Sequence, residues 1–225
     1  THFGSSGTAS GYYSTHFGVG GTASGYYSAH LGASGTASGY ASAHLGASGT
    51  ASGRASAHFG YNGLASGNYS THFGAYGLMS RYAQMGIASG QFSASGDNQR
   101  SGVVMRLATT DATPTAMQLP EHFFIDDEKA YGITVDLIAR SDDGSEHAFY
   151  KRQLLIQRTG GTTALAGNPP YVKTVGTDIE TDPGLGVAIT ADDANDRLII
   201  TCTGLAATNI RWVAAIDIVE VGYAD

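Results

Sequence analysis

Six histidines recur at a fixed interval early in this chain: His2, His16, His30, His44, His58 and His72, each 14 residues after the last. If the chain closes one coil per interval, the imidazoles stack one per coil, and in a trimer three would meet in each layer. Three converging imidazoles could hold a metal or an anion. The competing reading is a structural ladder, in which each ring stacks on its neighbours and hydrogen-bonds a serine or the backbone. We favour the ladder, and assign no metal and no cofactor. No catalytic residue is assigned either, because an active site is not normally copied six times. Tyrosines form the second candidate: Tyr12, Tyr13, Tyr26, Tyr27, Tyr40, Tyr61, Tyr69 and Tyr76. They fall where the repeated unit varies, with Arg54 and Asn68 standing in the place of Tyr40 in later units. Exposed aromatic columns suit recognition of carbohydrate or of a cell surface, so these tyrosines are the receptor-binding candidates. The alternative is that the rings pack between coils or chains and widen a thin core.

The elements that must carry these side chains follow from the unit itself. It reads Gly-Thr-Ala-Ser-Gly-Tyr-Tyr-Ser-Thr-His-Phe-Gly-Val-Gly at residues 7–20 and returns with small changes to about residue 93. Such a period signals a repeat architecture. Two-residue alternation splits each unit into two short strands, with Thr15 and Phe17 on one face and Ser14, His16 and Gly18 on the other. A helix is excluded, since several glycines per unit would each cost roughly 1 kcal/mol against alanine. Glycines such as Gly7, Gly11 and Gly18 are expected at turns that need positive φ or close backbone approach. The predicted interior is one Phe or Leu (Phe3, Phe17, Leu31, Leu45, Phe59, Phe73) and one Ala per coil, flanked by hydroxyls. That is too small a core for a lone coil, so stacking and trimerisation must supply the rest. The unit at 77–86 is irregular. It reads as two residues short, with Gln84 in the His place and Met85 in the Phe place, and Leu64, Leu78 and Ile87 replace earlier threonines. Atypical terminal repeats act as caps.

Composition changes abruptly near residue 97. Before it the only charged residues are Arg54 and Arg81, while all 19 acidic residues and the other ten Lys and Arg lie beyond. The net charge of −7 is therefore +2 for the front and −9 for the back (ten minus nineteen). We expect two domains, 1–96 and 97–225. An acidic chain without a basic stripe argues against nucleic acid, and no apolar run is long enough for membrane insertion as a helix. Beginning mid-repeat at Thr1, the sequence reads as a piece of a longer protein. The back half alternates with period two over segments such as 131–140, 147–158, 197–203 and 209–221, with turns at Asp142-Asp143-Gly144 and around Asp192–Asp196; this predicts an antiparallel sandwich. Asp192–Asp196 lacks the pattern of a calcium loop and reads as a hairpin turn. Cys202 is in register with Leu198 and Ile200 and reads as a core thiol. His122 and His147 show no triad spacing, and Asp126, Asp127 and Glu128 read as a solvated loop.

The spacing Gly-x-Ala-x-Gly-x-x-Ser-x-(small or His)-x-Gly resembles the repeats of trimeric bacterial adhesin heads and of phage tail proteins. It departs from the adhesin pattern in having His where those repeats usually carry Ala or Ser. The resemblance implies a trimeric parallel β-roll. Further on, Gly96-Asp97-x-Gln99-x-Ser101, Thr109-Thr110-Asp111-Ala112-Thr113-Pro114-Thr115, Ile210-Arg211-Trp212-Val213-Ala214 and Val219-Glu220-Val221 resemble the C-terminal domain of many phage and prophage tail fibres. That resemblance implies a trimeric β-sandwich at a fibre tip and brings no catalytic motif. The combined expectation is an all-β protein: a trimeric parallel β-roll or β-helix shaft followed by an antiparallel, jelly-roll-like β-sandwich head. It would serve at the distal tail fibre of a virion as a homotrimer that binds a bacterial surface glycan or outer-membrane receptor. The alternatives are the head of a bacterial trimeric adhesin, or a tail-associated polysaccharide depolymerase. A depolymerase needs paired carboxylates in a groove, which the front part lacks, so the chain is expected to be no enzyme.

Overall fold

The computed structural model describes residues 1–117, 123–167 and 171–223. The chain is all-β apart from one 3-10 turn at Asp193–Asn195. It divides into two compact units, Thr1–Gly102 with Glu220–Asp225, and Val103–Val219.

The first unit is a parallel β-solenoid. Each coil has a long strand, such as Thr15–Val19 or Ala29–Ala33, and a two-residue strand, such as Thr22–Ala23 or Thr36–Ala37. Both ladders keep the same register, so every residue pairs with its counterpart one unit on: His16 with His30, Gly18 with Gly32, Ala23 with Ala37. Two corners per coil are in the left-handed region, and they are filled mostly by side-chain-bearing residues, for example Tyr27 (φ 58°) and Ser34 (φ 55°). Gly21, by contrast, is needed for close approach: a Cβ there would stand 2.2 Å from Cε1 of His30.

The alternation is as predicted and the alanines are enclosed as expected, but in the long strand inside and outside are reversed. His16, His30, His44, His58 and His72 are fully buried together with Ala23, Ala37, Ala51 and Ala65 and the serines Ser14, Ser28, Ser42, Ser56 and Ser70. Phe17, Leu31 and Phe73 point outward and are 40–42% exposed. The reason is the width of the coil. Opposite each imidazole stands a glycine of the short side, leaving room for one flat ring. At His30, His58 and His72 the ring nitrogen also takes a corner N–H that a phenyl ring would leave unpaired.

The last coil also differs from expectation. Register places Gly86 opposite His72, Met85 opposite Thr71 and Ile87 opposite Phe73. Gln84 therefore continues the serine column, Gly86 occupies the His place, and Ile87 belongs to the Phe column rather than the Thr column. Met79, in the alanine column, fills the space left by the missing imidazole: its Sδ is 2.6 Å from where a Cβ on Gly86 would be. Residues 100–102 then pair antiparallel with 85–87 and end the parallel ladder. Gln99 closes the short-strand ladder: its Oε1 accepts from Leu78 N–H at 2.7 Å and its Nε2 donates to Leu78 O at 2.9 Å, as another strand would. Glu220 accepts from the same Nε2 at 3.0 Å and lies 3.7 Å from the Arg81 guanidinium. Ser101 Oγ accepts from Gln84 Nε2, and the Asp97 carboxylate takes the N–H groups of Phe92, Ser93 and Ala94. Burial would raise the Asp97 carboxyl, but those backbone donors hold it below its ordinary value. These polar residues belong to the motifs that resemble tail-fibre sequences, and their work here is to terminate a solenoid without an open edge.

The second unit contains long antiparallel strands. Ile210–Gly222 lies between Asn98–Thr109 and Lys129–Ser141, followed by His147–Thr159 and Thr162–Ala166. Thr115–Ala116, Arg197–Thr203 and Gly186–Asp192 make a three-stranded sheet. Alternate residues from both sheets, including Tyr131, Leu137, Ile156, Ile200, Cys202 and Trp212, share one apolar core. Trp212 is fully buried, and its indole N–H donates to Thr109 Oγ1 at 2.9 Å.

Candidate functional site

The histidine column is continuous. Ring centroids from His16 to His58 are 4.8 Å apart and the rings are nearly parallel, with interplanar angles of 1–3°. Nε2 of His30, His58 and His72 accepts a backbone N–H from Gly35, Gly63 and Gly77 at 3.1–3.2 Å. A ring that accepts at Nε2 is neutral, with its proton on Nδ1. Burial lowers the pKa of His44, His58 and His72 to about 4, and neighbouring imidazoles add to the effect at His44 and His58. Stacked rings aim their nitrogens sideways rather than at a common point, and no cluster of three metal-ligating side chains exists among the described residues.

The tyrosines divide into two groups. At one corner Tyr12, Tyr26 and Tyr40 form a stack with centroid spacings of 5.2 and 5.8 Å, and Arg54 lies 5.7 Å over the Tyr40 ring. Beside it Tyr13 and Tyr27 stack at 5.2 Å, edge-on to the first column. Tyr69 continues this corner and meets Tyr82 edge-to-face. Tyr61 and Tyr76 meet edge-to-face at the other corner. The rings are largely exposed, Tyr13 at 68%. Because stacked rings cover one another's faces, the columns present edges and hydroxyls at the coil repeat.

In the second unit each carboxylate of the Asp192–Asp196 turn has a partner: Asp192 has Arg197 and Asn195, Asp193 has Thr163 N–H, and Asp196 has Thr163 and Arg158. The charge run is similarly engaged. Asp126 accepts from Tyr131 and Lys129, while Asp127 and Glu128 accept from Gly161 and Gly160 N–H. Burial pushes the Cys202 thiol up to about 12, so it is protonated and unreactive at neutral pH. His147 is exposed; His122 lies outside the described residues.

One feature escaped the sequence reading. A cavity of about 790 Å³ opens on the outer face of the larger sheet, lined among others by Ile138, Arg140, Asp142, Asn209, Arg211 and Val213. Asp142 N–H donates to Asn209 O at 3.0 Å, and Gly132 lies beside Val219 O. These two contacts make the strands antiparallel and set Arg140 across from Arg211 and Ile138 across from Val213. The outward positions of those strands carried the signal, but it is visible only once the register is known.

No family model matches the sequence, and no curated protein matches it. Solved structures are similar to it over most of its length. A tailspike protein of Acinetobacter baumannii bacteriophage Fri1, a capsular polysaccharide depolymerase, is 8% identical, with a TM-score of 0.34, over 92% of this chain and 52% of its own. The tailspike of Acinetobacter baumannii phage AM24 is 8% identical with a TM-score of 0.32, over 94% of this chain and 47% of its own. The tailspike of Acinetobacter phage vB_ApiP_P1 is 9% identical with a TM-score of 0.28, over 93% and 56%. The chain thus spans about half the length of these structures. The expectation that the chain is no enzyme is withdrawn against this comparison, because one of these neighbours is a polysaccharide depolymerase. Among the described residues, no helix is long and apolar enough to cross a membrane.

Proposed function

We propose that the chain is part of a bacteriophage tail receptor-binding protein that attaches the virion to a bacterial surface glycan. In this reading residues 1–96 are a shaft and 97–225 a jelly-roll-like β-sandwich head. The observation that carries it is the double tyrosine column. Rigid, exposed aromatic edges and hydroxyls, spaced at the coil repeat over the first three units, suit a polymer that itself repeats, and each ring brings contact area at low conformational cost. The motifs shared with tail fibres support the same reading.

We further propose a homotrimer. Phe3, Phe17, Leu31, Phe73 and Ile87 form an outward apolar stripe, 40–58% exposed, of the kind that association covers. Three copies would bury it and give avidity to individually weak glycan contacts.

The test is a cell-binding panel across capsulated strains with wild-type and Tyr12→Ala/Tyr26→Ala protein, alongside an assay for reducing ends released from the same capsules. Adsorption lost in the variant supports the reading. Wild-type protein that binds no strain and neither blocks adsorption nor releases sugar overturns it. A monomer in sedimentation at micromolar concentration overturns the trimer.

A further inference from the structure

We propose that the cavity on the larger sheet binds a carboxylate-bearing sugar residue, with Arg140 and Arg211 holding the carboxylate; this rests on the glycan-binding reading and names the chemistry of the glycan. The starting point is an arrangement that is unfavourable in the empty protein. Like charges directly opposite on neighbouring strands repel. No carboxylate lies in ion-pair range of either guanidinium among the described residues, as for Arg106, whereas Arg152, Arg158 and Arg197 of the same unit each have one. Arg140 donates only to the backbone O of Ser141. The nearby Asp142 makes no ion pair with either arginine; its oxygens accept from Asn209 Nδ2 and from Asp143 N–H. Arg140 and Arg211 both line this cavity, and planar guanidinium donor forks suit a carboxylate.

The surroundings decide what kind of anion. Ile138 and Val213, 57% and 43% exposed, stand side by side next to the arginines and offer an apolar wall to the C–H face of a pyranose. Asp142 and Asn209 close one end with groups that suit sugar hydroxyls. A concave, partly apolar site with a few converging polar groups, within the usual range of roughly 300–1,000 Å³, is the form of a small-ligand pocket. The back half of the chain carries a net −9 (ten basic residues less nineteen acidic), which gives no general attraction for a polyanion such as nucleic acid. The pair is therefore a local site for one carboxylate at a time, as an acidic glycan presents it.

The experiment starts from a strain that the wild-type protein binds. Its extracted polysaccharide is titrated into the full chain by calorimetry, native and after chemical reduction of its carboxyl groups. The expected result is binding of the native glycan that weakens at least tenfold on carboxyl reduction, and likewise in Arg140→Gln/Arg211→Gln. That variant should at the same time melt higher without ligand, by about 1–3 °C, because the repulsion is relieved. Arg211→Lys, which keeps the charge and loses the fork, should fall between. Equal affinity for reduced and native glycan, or a double variant that binds as wild type, overturns the site while leaving the glycan reading intact. A double variant that changes sedimentation but not binding shows that the pair faces a second copy of the chain, and also overturns it. If no strain is bound the glycan reading itself fails, and titration with a hexuronic acid oligomer then decides the site: no binding ends it.

Discussion

The two units solve the same problem with opposite materials. In the second unit alternate strand residues bury Trp, Ile, Leu and Tyr, as hydrophobicity would dictate. In the solenoid, strands with the same alternation bury His, Ser and Ala and turn Phe and Leu outward. What differs is the space between the facing strands. The second unit has wide sheets whose gap is set by large side chains. A solenoid coil has a five-residue strand facing a two-residue one, and its glycines leave room for a flat ring and little else. Polar atoms line that interior, and Nε2 of His30, His58 and His72 meets a backbone N–H there.

Acid should separate the two most strongly. His44, His58 and His72 have folded pKa values of about 4 against an ordinary 6.5. Between these values the unfolded chain binds more protons, so solenoid stability is full above pH 6.5 and declines as pH falls towards 4. Each ring would contribute roughly 1–3 kcal/mol of that loss. No acidic residue precedes Asp97 to compensate the charge. Hydrogen exchange at pH 7 and 4.5 should show protection lost in the coils first; equal loss in both units would break the comparison.

Trp212→Ala should cost about 3–5 kcal/mol, read as a shift in the denaturation midpoint of the second unit, because it opens a cavity and strands Thr109 Oγ1. Gly35→Ala tests the other kind of interior, since the new Cβ would stand 2.2 Å from Cε1 of His44; a loss of about 1–3 kcal/mol is expected. Its control is Gly132→Ala, whose Cβ would meet only Val219 O at 3.9 Å and should lie within about 0.5 kcal/mol of wild type. If both glycine variants behave alike, space is not what decides the solenoid interior. A more local effect is expected at the cap. Gln99→Met removes two hydrogen bonds to Leu78 and one to Glu220 and should cost roughly 0.5–1.5 kcal/mol for each, seen as earlier fraying of the last coil by hydrogen exchange.

Much of this was legible in the sequence. The spacing of His and Gly gave the coil, and the alternation at Tyr131–Ala139 and Ile210–Ile218 gave the core face of the second unit. The inside of the coil was misread because apolar was taken to mean buried. The sequence held a better signal: from unit to unit Ser14, His16 and Ala23 return unchanged, while Phe17 becomes Leu31 and Tyr40 becomes Arg54. The residue that recurs as His in every regular unit is an enclosed one, while the neighbouring Phe or Leu that varies faces outward. Neither the Gly86–Met79 exchange nor the Arg140–Arg211 pair was legible, because each depends on strand register that no local pattern encodes.

The constant register has a consequence for how long the solenoid can be. Every residue sits beside its own counterpart, so deleting residues 36–49 would bring His30 next to His58 and Ala23 next to Ala51, with like still meeting like. The closing residues, Gln84, Met79 and Gln99, reach no further than the last two coils. One unit could be lost or gained at about 4.8 Å of reach, without a new interface having to be invented. Length is then a free variable that copying errors can tune, while the ends that meet the world stay the same.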